Sequence, residues 1–367
     1  MLDKEFVSVF APMHLISTCL FIRKYNLYKN RVTRSSTGGI LFALIGMIAV
    51  YFMLYLTLNS LSNIVKPLTY YMYFFIYVQY AVSCNIIIFI NLYHSISHSK
   101  LLTTLQRIFG YLPDRCIIKR IKIIVWISCF TMLLSHGIFM TFKFILDPYW
   151  TIEKCCFILL TFILDFELFY PTVVIQLMAC KMKQWTQVIN KKDENTAHGY
   201  RIPRRTLTMM FNTYKSLLDA LALVKRSTQW TILLHFVISF TLSLSFLGIL
   251  MCTADEVINS TLMTNRVAGI VILIMKSLTM ETIYCIVCEN LYREVNSAQV
   301  AAILLGSHQQ YTTAKAFVKN IRRLNSLQFQ KLNSCGVFVV DAKLPLQLGA
   351  LILNHTVVLL QFAISKQ

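Results

Sequence analysis

Five polar groups sit inside stretches of chain that are otherwise apolar. Asp165 and Glu167 interrupt the run 157–179, Lys276 the run 268–289, Gln79 the run 70–92 and His136 the run 123–145. An ionisable group surrounded by hydrocarbon is costly, so such residues turn towards a protein interior and pair there. Lys276 is therefore expected to pair with Asp165 or Glu167. Tyr70, Tyr71, Tyr73, Tyr77 and Tyr80 add aromatic faces to the second of these runs. A small-molecule site needs an apolar cavity with a few convergent polar groups. Gln79, His136, Asp165, Glu167, Lys276, Tyr73 and Tyr77 are the candidates to line one. A second reading stays open: a dry ion pair that fixes helix packing, a neutral His136 bonded to its neighbour, and tyrosines in an interfacial belt.

The same search finds no nucleophile, base and oxyanion-stabilising set, so no catalysis is expected and no catalytic residue is assigned. There is no P-loop, dinucleotide fingerprint or zinc signature, and no cofactor is expected. Cys285-Ile286-Val287-Cys288 has metal-like spacing but stands alone on an apolar helix, so no metal site is assigned.

A second polar set lies near the C-terminus. From Leu346 onward about twenty residues are nearly all apolar, enough for one membrane crossing. Pro345 suits the first turn of that helix. Gln347, Asn354 and Gln361 recur every seven residues and, with Leu351, Val358 and Ser365, form one row along it. Amides facing lipid are costly unless paired, so this row should face water or other protein, at a pore or a subunit seam.

The rest of the chain must hold these groups in place. Of 367 residues, 56% are hydrophobic and 14% charged, with a mean hydropathy of +0.60. Such a chain cannot cover itself with polar surface, and the composition predicts a polytopic all-α membrane protein. The runs 39–59, 70–92, 123–145, 157–179, 230–252, 268–289 and 345–364 read as seven spans. Residues 6–22, broken by Pro12 and His14, are short for a span and read as an interfacial helix.

Basic residues set the orientation. Lys and Arg number six in the N-terminal segment, six in 93–122, ten in 180–229 and seven in 290–344, while Lys66, Lys154, Arg266 and Lys366 stand one to a segment on the other side. The positive-inside rule then puts the N-terminus in the cytoplasm and, with an odd number of spans, the C-terminus outside. The net charge of +19 is explained by this asymmetry, and no nucleic-acid partner is expected. Asn259-Ser260-Thr261 is a glycosylation acceptor in a loop this topology makes extracellular. Cys155 or Cys156 with Cys252 is one open disulfide pairing on the same side. The long inner segments should extend the helices into a cytoplasmic layer, with Lys191 to Asn195 and His198 to Tyr200 as a mobile loop. The chain divides accordingly into 1–38, an N-terminal segment; 39–289, six spans with a pocket in their outer half; 290–344, a cytoplasmic anchor; and 345–367, the last helix and a short tail.

The run Cys335-Gly336-Val337-Phe338-Val339-Val340-Asp341, followed by an apolar helix ending in Gln361-Phe362, resembles the insect gustatory receptors. Their last span ends in Thr-Tyr, five apolar residues and Gln-Phe; here Asn354 and His355 replace the Thr-Tyr pair. The resemblance implies a tetrameric, ligand-gated, nonselective cation channel related to insect odorant receptors. It would be a homo- or heterotetramer in the plasma membrane of sensory dendrites, with a small-molecule tastant as ligand. It also implies that the seventh helices of four subunits line the pore. Gln361, Phe362, Val358, Asn354 and Ser365 then become pore or gate residues, Phe362 narrowing the closed pore and Gln361 stabilising one state. Members tuned to sugars usually carry Glu where this chain has Thr356, so a bitter or deterrent ligand fits better. For Phe362 an interfacial anchor, and for His355 a neutral ring bonded to an adjacent helix, remain open. A seven-span G-protein-coupled receptor fits less well, lacking Asp-Arg-Tyr after the third span and Asn-Pro-x-x-Tyr in the seventh. A secondary transporter would call for inverted repeats and broken helices, whereas only Pro171 interrupts a span centrally.

Overall fold

A computed structural model describes residues 4–28, 31–33, 37–62, 67–112, 115–146, 152–197, 202–254, 261–308 and 312–364. Among the described residues the order is α1 (Lys4–Cys19), β1 (Asn26–Tyr28), β2 (Arg31–Thr33), α2 (Thr37–Ser62), α3 (Pro67–Tyr93), α4 (Ser95–Tyr111), α5 (Arg115–Leu146), α6 (Ile152–Ala197), α7 (Arg204–Ala254), α8 (Thr261–His308), α9 (Thr312–Gln328), β3 (Asn333–Ser334), β4 (Phe338–Val339) and α10 (Leu344–Ile364). Asn259 and Ser365 lie outside the described residues, as do the side chains of Cys155, Cys156, Cys252 and Phe362.

Six helices among the described residues are long and apolar enough to cross a membrane, within Thr37–Asn59, Tyr70–Tyr93, Ile118–Thr141, Ile158–Lys191, Arg204–Ile249 and Ala268–Ser307. The chain is a multi-pass, all-helical membrane protein, and α10 adds a further 21-residue apolar helix. Helices α6, α7 and α8 run for 46, 51 and 48 residues, about 70 Å each. That is more than twice the roughly 30 Å of a hydrocarbon core, so each must continue well outside it. The extensions of α7 and α8 pack with α9, whose Ala314, Phe317 and Ile321 are buried while Lys315, Lys319, Arg322 and Arg323 are exposed. Lys191 to Asn195, expected in a loop, belong to the last turns of α6. Charged and amide residues cost little in a helix, and between Pro171 and Gly199 no Gly or Pro interrupts the sequence.

The N-terminal helix is docked into the bundle. Phe6, Val9, Phe10, Met13 and Ile16 are all buried, packed against α5 and against Phe109 of α4. Burial and nearby Arg23 pull His14 down to about 4, so the ring that stacks on Tyr25 is neutral at physiological pH. The chain then turns at Phe21 (φ 62°) and lies so close to α2 that a Cβ on Gly46 would overlap the Phe21 side chain. Leu41, Ile48, Phe52 and Tyr55 of α2, and Ile123, Ile127, Phe130 and Ile138 of α5, face outward. These are the surfaces lipid can cover.

A small hairpin sets the start of α10. Asn333 pairs with Val339 and Ser334 with Phe338 around a turn in which Cys335 (φ 52°) and Gly336 (φ 84°) are both left-handed. Gly336 is the residue for which that conformation costs least. Asp341 Oδ1 accepts from the backbone N–H groups of Lys343 (3.0 Å) and Leu344 (3.2 Å), capping the helix. Leu344, Leu348 and Ile352, four residues apart, are buried where α10 packs on α7 and α8.

Candidate functional site: a polar cavity and an exposed amide row

Asp165 and Glu167 are two residues apart on α6 and therefore about 200° apart around its axis. They serve two different clusters. Asp165 Oδ2 lies 2.6 Å from Lys276 Nζ of α8 and 2.9 Å from His136 Nε2 of α5. Lys276 Nζ is also 3.4 Å from that ring nitrogen, while His136 Nδ1 is 2.9 Å from the Met132 carbonyl oxygen. Three helices thus meet at one carboxylate oxygen.

Glu167 points away from this cluster. Its carboxylate accepts from Lys24 Nζ at 2.5 and 2.7 Å and from Asn91 Nδ2 at 3.0 Å. Lys24 also donates to Asn91 Oδ1 at 2.8 Å and sits 4.9 Å from the centre of the Tyr170 ring. Both side chains are almost fully covered. The partner of Glu167 is thus a residue from the segment after α1, and Glu167 is a structural anchor with no access to the cavity around Asp165.

That cavity has a volume of about 30 Å³, room for a water or two. Tyr80, Thr161, Asp165, Lys276 and Ser277 contribute polar groups, and α7 contributes His235, Ser239 and Ser243; Leu242, Phe246 and Leu273 supply apolar wall. Behind it, His235 Nδ1 lies 3.2 Å from Glu281 Oε1, a pair that is nearly fully buried. The α7 residues were not among those singled out from sequence. Their signal was present: His235, Ser239 and Ser243 are four apart and so form one row, and Glu281 shares an apolar helix with Lys276.

The remaining candidates surround this centre without lining it. Gln79 Nε2 donates to Thr241 Oγ1, tying α3 to α7. Tyr73 and Tyr77 stack on one another, ring centres 6.3 Å apart, with Tyr77 buried and Tyr73 packed against the core.

In α10 the row read from sequence is exposed: Gln347, Leu351, Asn354, Val358 and Gln361 are uncovered, about 100° round the helix from the buried Leu344, Leu348 and Ile352. His355 is exposed too, with its ring 5.6 Å from that of Phe240 on α7. The hairpin before α10 is bolted to the bundle by Tyr292 of α8. Its hydroxyl donates to the Val340 carbonyl (3.0 Å) and accepts from the Leu332 N–H (2.8 Å), while Phe338 packs on Phe236 of α7 at 5.2 Å. Tyr292→Phe would leave that buried N–H without an acceptor, and we expect a loss of about 1 to 3 kcal/mol. Thermal unfolding of the purified protein checks this; an unchanged midpoint would mean the hairpin is held by packing alone.

Neither a protein-family model nor a curated protein matches the sequence. Among solved structures, the insect olfactory receptor OR5 from Machilis hrabei matches with a TM-score of 0.65 and 12% identity, over 96% of this chain and 97% of that one. At that identity the likeness is one of fold, and it extends over the whole bundle, from the docked N-terminal segment to the last helix. The chain has the fold of an insect olfactory receptor.

Proposed function

We propose that this chain is one subunit of a tetrameric chemosensory cation channel of the gustatory type, opened by a small-molecule tastant and better suited to a deterrent compound than to a sugar. The observation that carries the reading is the two-sidedness of α10. One narrow row is buried against α7 and α8, while Gln347, Asn354 and Gln361, about 120° round the helix, have no covering in the single chain. Bare amides in lipid are costly, and four copies around an axis would give them a water-filled path or one another. The division into a bundle of six spans, a cytoplasmic anchor and a pore helix goes with this reading, as does placement in the plasma membrane of sensory dendrites with the C-terminus outside.

The ligand would enter the cavity at Asp165 and Lys276. Its 30 Å³ is far below the roughly 300 Å³ of an ordinary ligand pocket, so binding must push the helices apart. Helix α7 lines the cavity with Ser239 and Ser243 and touches the hairpin and α10 with Phe236 and Phe240. Expansion at one face of α7 would be felt at the other, and a ligand that favours the expanded state shifts the population towards it.

Cysteine substitution tests the pore assignment. A water-soluble thiol reagent applied during whole-cell recording should block current in Asn354→Cys and Gln361→Cys and leave Leu348→Cys and Ile352→Cys untouched. Phe362→Ala should raise the resting leak severalfold, because a dewetted constriction would become hydrated. Block at Leu348 or Ile352, or unchanged leak and block nowhere, would remove α10 from the pore. A tag after Gln367 that stains intact cells would agree with the proposed orientation; staining only after permeabilisation would reverse it.

A further inference from the structure

The cavity around Lys276 has a chemical preference of its own. Asp165 and His136 are buried, with side-chain exposures of 5% and 10%, His235 and Glu281 fall to 7% and 0%, and Lys276 keeps 27%. The charge a guest would meet is therefore the ammonium. Lys276 has three N–H donors, and Asp165 uses one of them at 2.6 Å.

The neighbouring ring occupies the same carboxylate. His136 Nδ1 faces the Met132 carbonyl oxygen at 2.9 Å and Nε2 faces Asp165 Oδ2 at 2.9 Å. The same ring nitrogen lies 3.4 Å from Lys276 Nζ, so one carboxylate oxygen is shared between Lys276 and His136. The other buried carboxylate near the cavity, Glu281, is matched by His235 at 3.2 Å. Leu242, Phe246 and Leu273 give the cavity an apolar side.

We infer that the guest of this cavity is a small carboxylate with a short apolar chain, its oxygens received by Lys276 beside His136 and its chain laid against Leu242, Phe246 and Leu273. This rests on the reading of the cavity as the ligand site given above. A protonated amine would meet the ammonium head-on, and a neutral amide would forgo the charge-assisted bond, worth about tenfold to a hundredfold in affinity.

The test uses the full-length purified protein in lipid nanodiscs and reads thermal stabilisation, which reports binding whether or not the channel conducts. Probes are the straight-chain acids from acetate to hexanoate, with the amide and amine of the same carbon skeletons. We expect at least one acid to stabilise the protein, with apparent affinity about tenfold or more above its amide and no stabilisation by its amine. Lys276→Arg should keep the preference. Lys276→Gln combined with Asp165→Asn, which removes both members of the pair and so avoids leaving a lone buried charge, should abolish it. Ser239→Phe, which fills the cavity, should abolish stabilisation by every probe. Stabilisation by amines or amides equal to that by acids, lost in Ser239→Phe, overturns the carboxylate and leaves the cavity as the site. Stabilisation by acids that survives Ser239→Phe overturns the cavity itself. No stabilisation by any acid overturns the carboxylate.

Discussion

Replacing Lys24 by methionine should destabilise the protein by about 3 to 5 kcal/mol, because it leaves Glu167 buried and unpaired. Against a typical total of about 5 to 15 kcal/mol, that removes a large fraction of the stability. The geometry makes the loss severe. Lys24 and Glu167 are 3% and 1% exposed, so water cannot enter to replace the missing ammonium. Asn91 can still donate to one oxygen at 3.0 Å, but it brings no charge. Removing both partners with Lys24→Met and Glu167→Leu should recover most of the stability, since an apolar pair of similar volume carries no desolvation cost. Heating the detergent-solubilised protein and measuring the monodisperse fraction would decide the matter. If Lys24→Met melts with the wild type, the segment after α1 is not anchored by charge.

Asp165→Ala should be of similar size, about 3 to 5 kcal/mol, for the opposite reason. It strands two donors, Lys276 and His136, that now converge on one oxygen at 2.6 and 2.9 Å. Lys276 is partly exposed and can turn towards water, which places the loss near the lower end. Combining Asp165→Leu with Lys276→Met should restore folding but not ligand response, separating the pair's structural part from its part in recognition. A double variant that folded no better than Asp165→Ala would show that His136 alone dictates the cost. Full ligand sensitivity in the refolded double variant would rule out a role for the pair in binding. The two carboxylates face opposite sides of α6, so their single-variant losses should be close to additive.

Sequence alone fixed the broad class, because composition and run length are one-dimensional properties. A chain with 56% hydrophobic residues in runs of about twenty has few ways to satisfy its backbone other than membrane helices. The row of Gln347, Asn354 and Gln361 was legible for the same reason: a seven-residue repeat on a helix defines a face without knowledge of neighbours. The ends of helices were less legible. Lys191 to Asn195 have the composition of a loop but belong to α6, because charged and amide residues are tolerated in a helix and no breaker separates them from it.

What the sequence left undecided was partnership. It offered Lys276 two carboxylates three ångströms apart along one helix, and hydropathy cannot say which side of α6 faces α8. The folded chain assigns Asp165 to Lys276 and Glu167 to Lys24, a lysine that reading along the chain had counted only as a topology signal. Likewise His235, Ser239 and Ser243 passed for ordinary polar residues in an apolar span until α7 was seen to wall the cavity. Helix identity and polar faces follow from local periodicity, which each segment carries by itself. Which charges neutralise one another, and where an ammonium is left facing a cavity, depends on how helices distant in sequence are rotated against each other, and only the tertiary structure decides that.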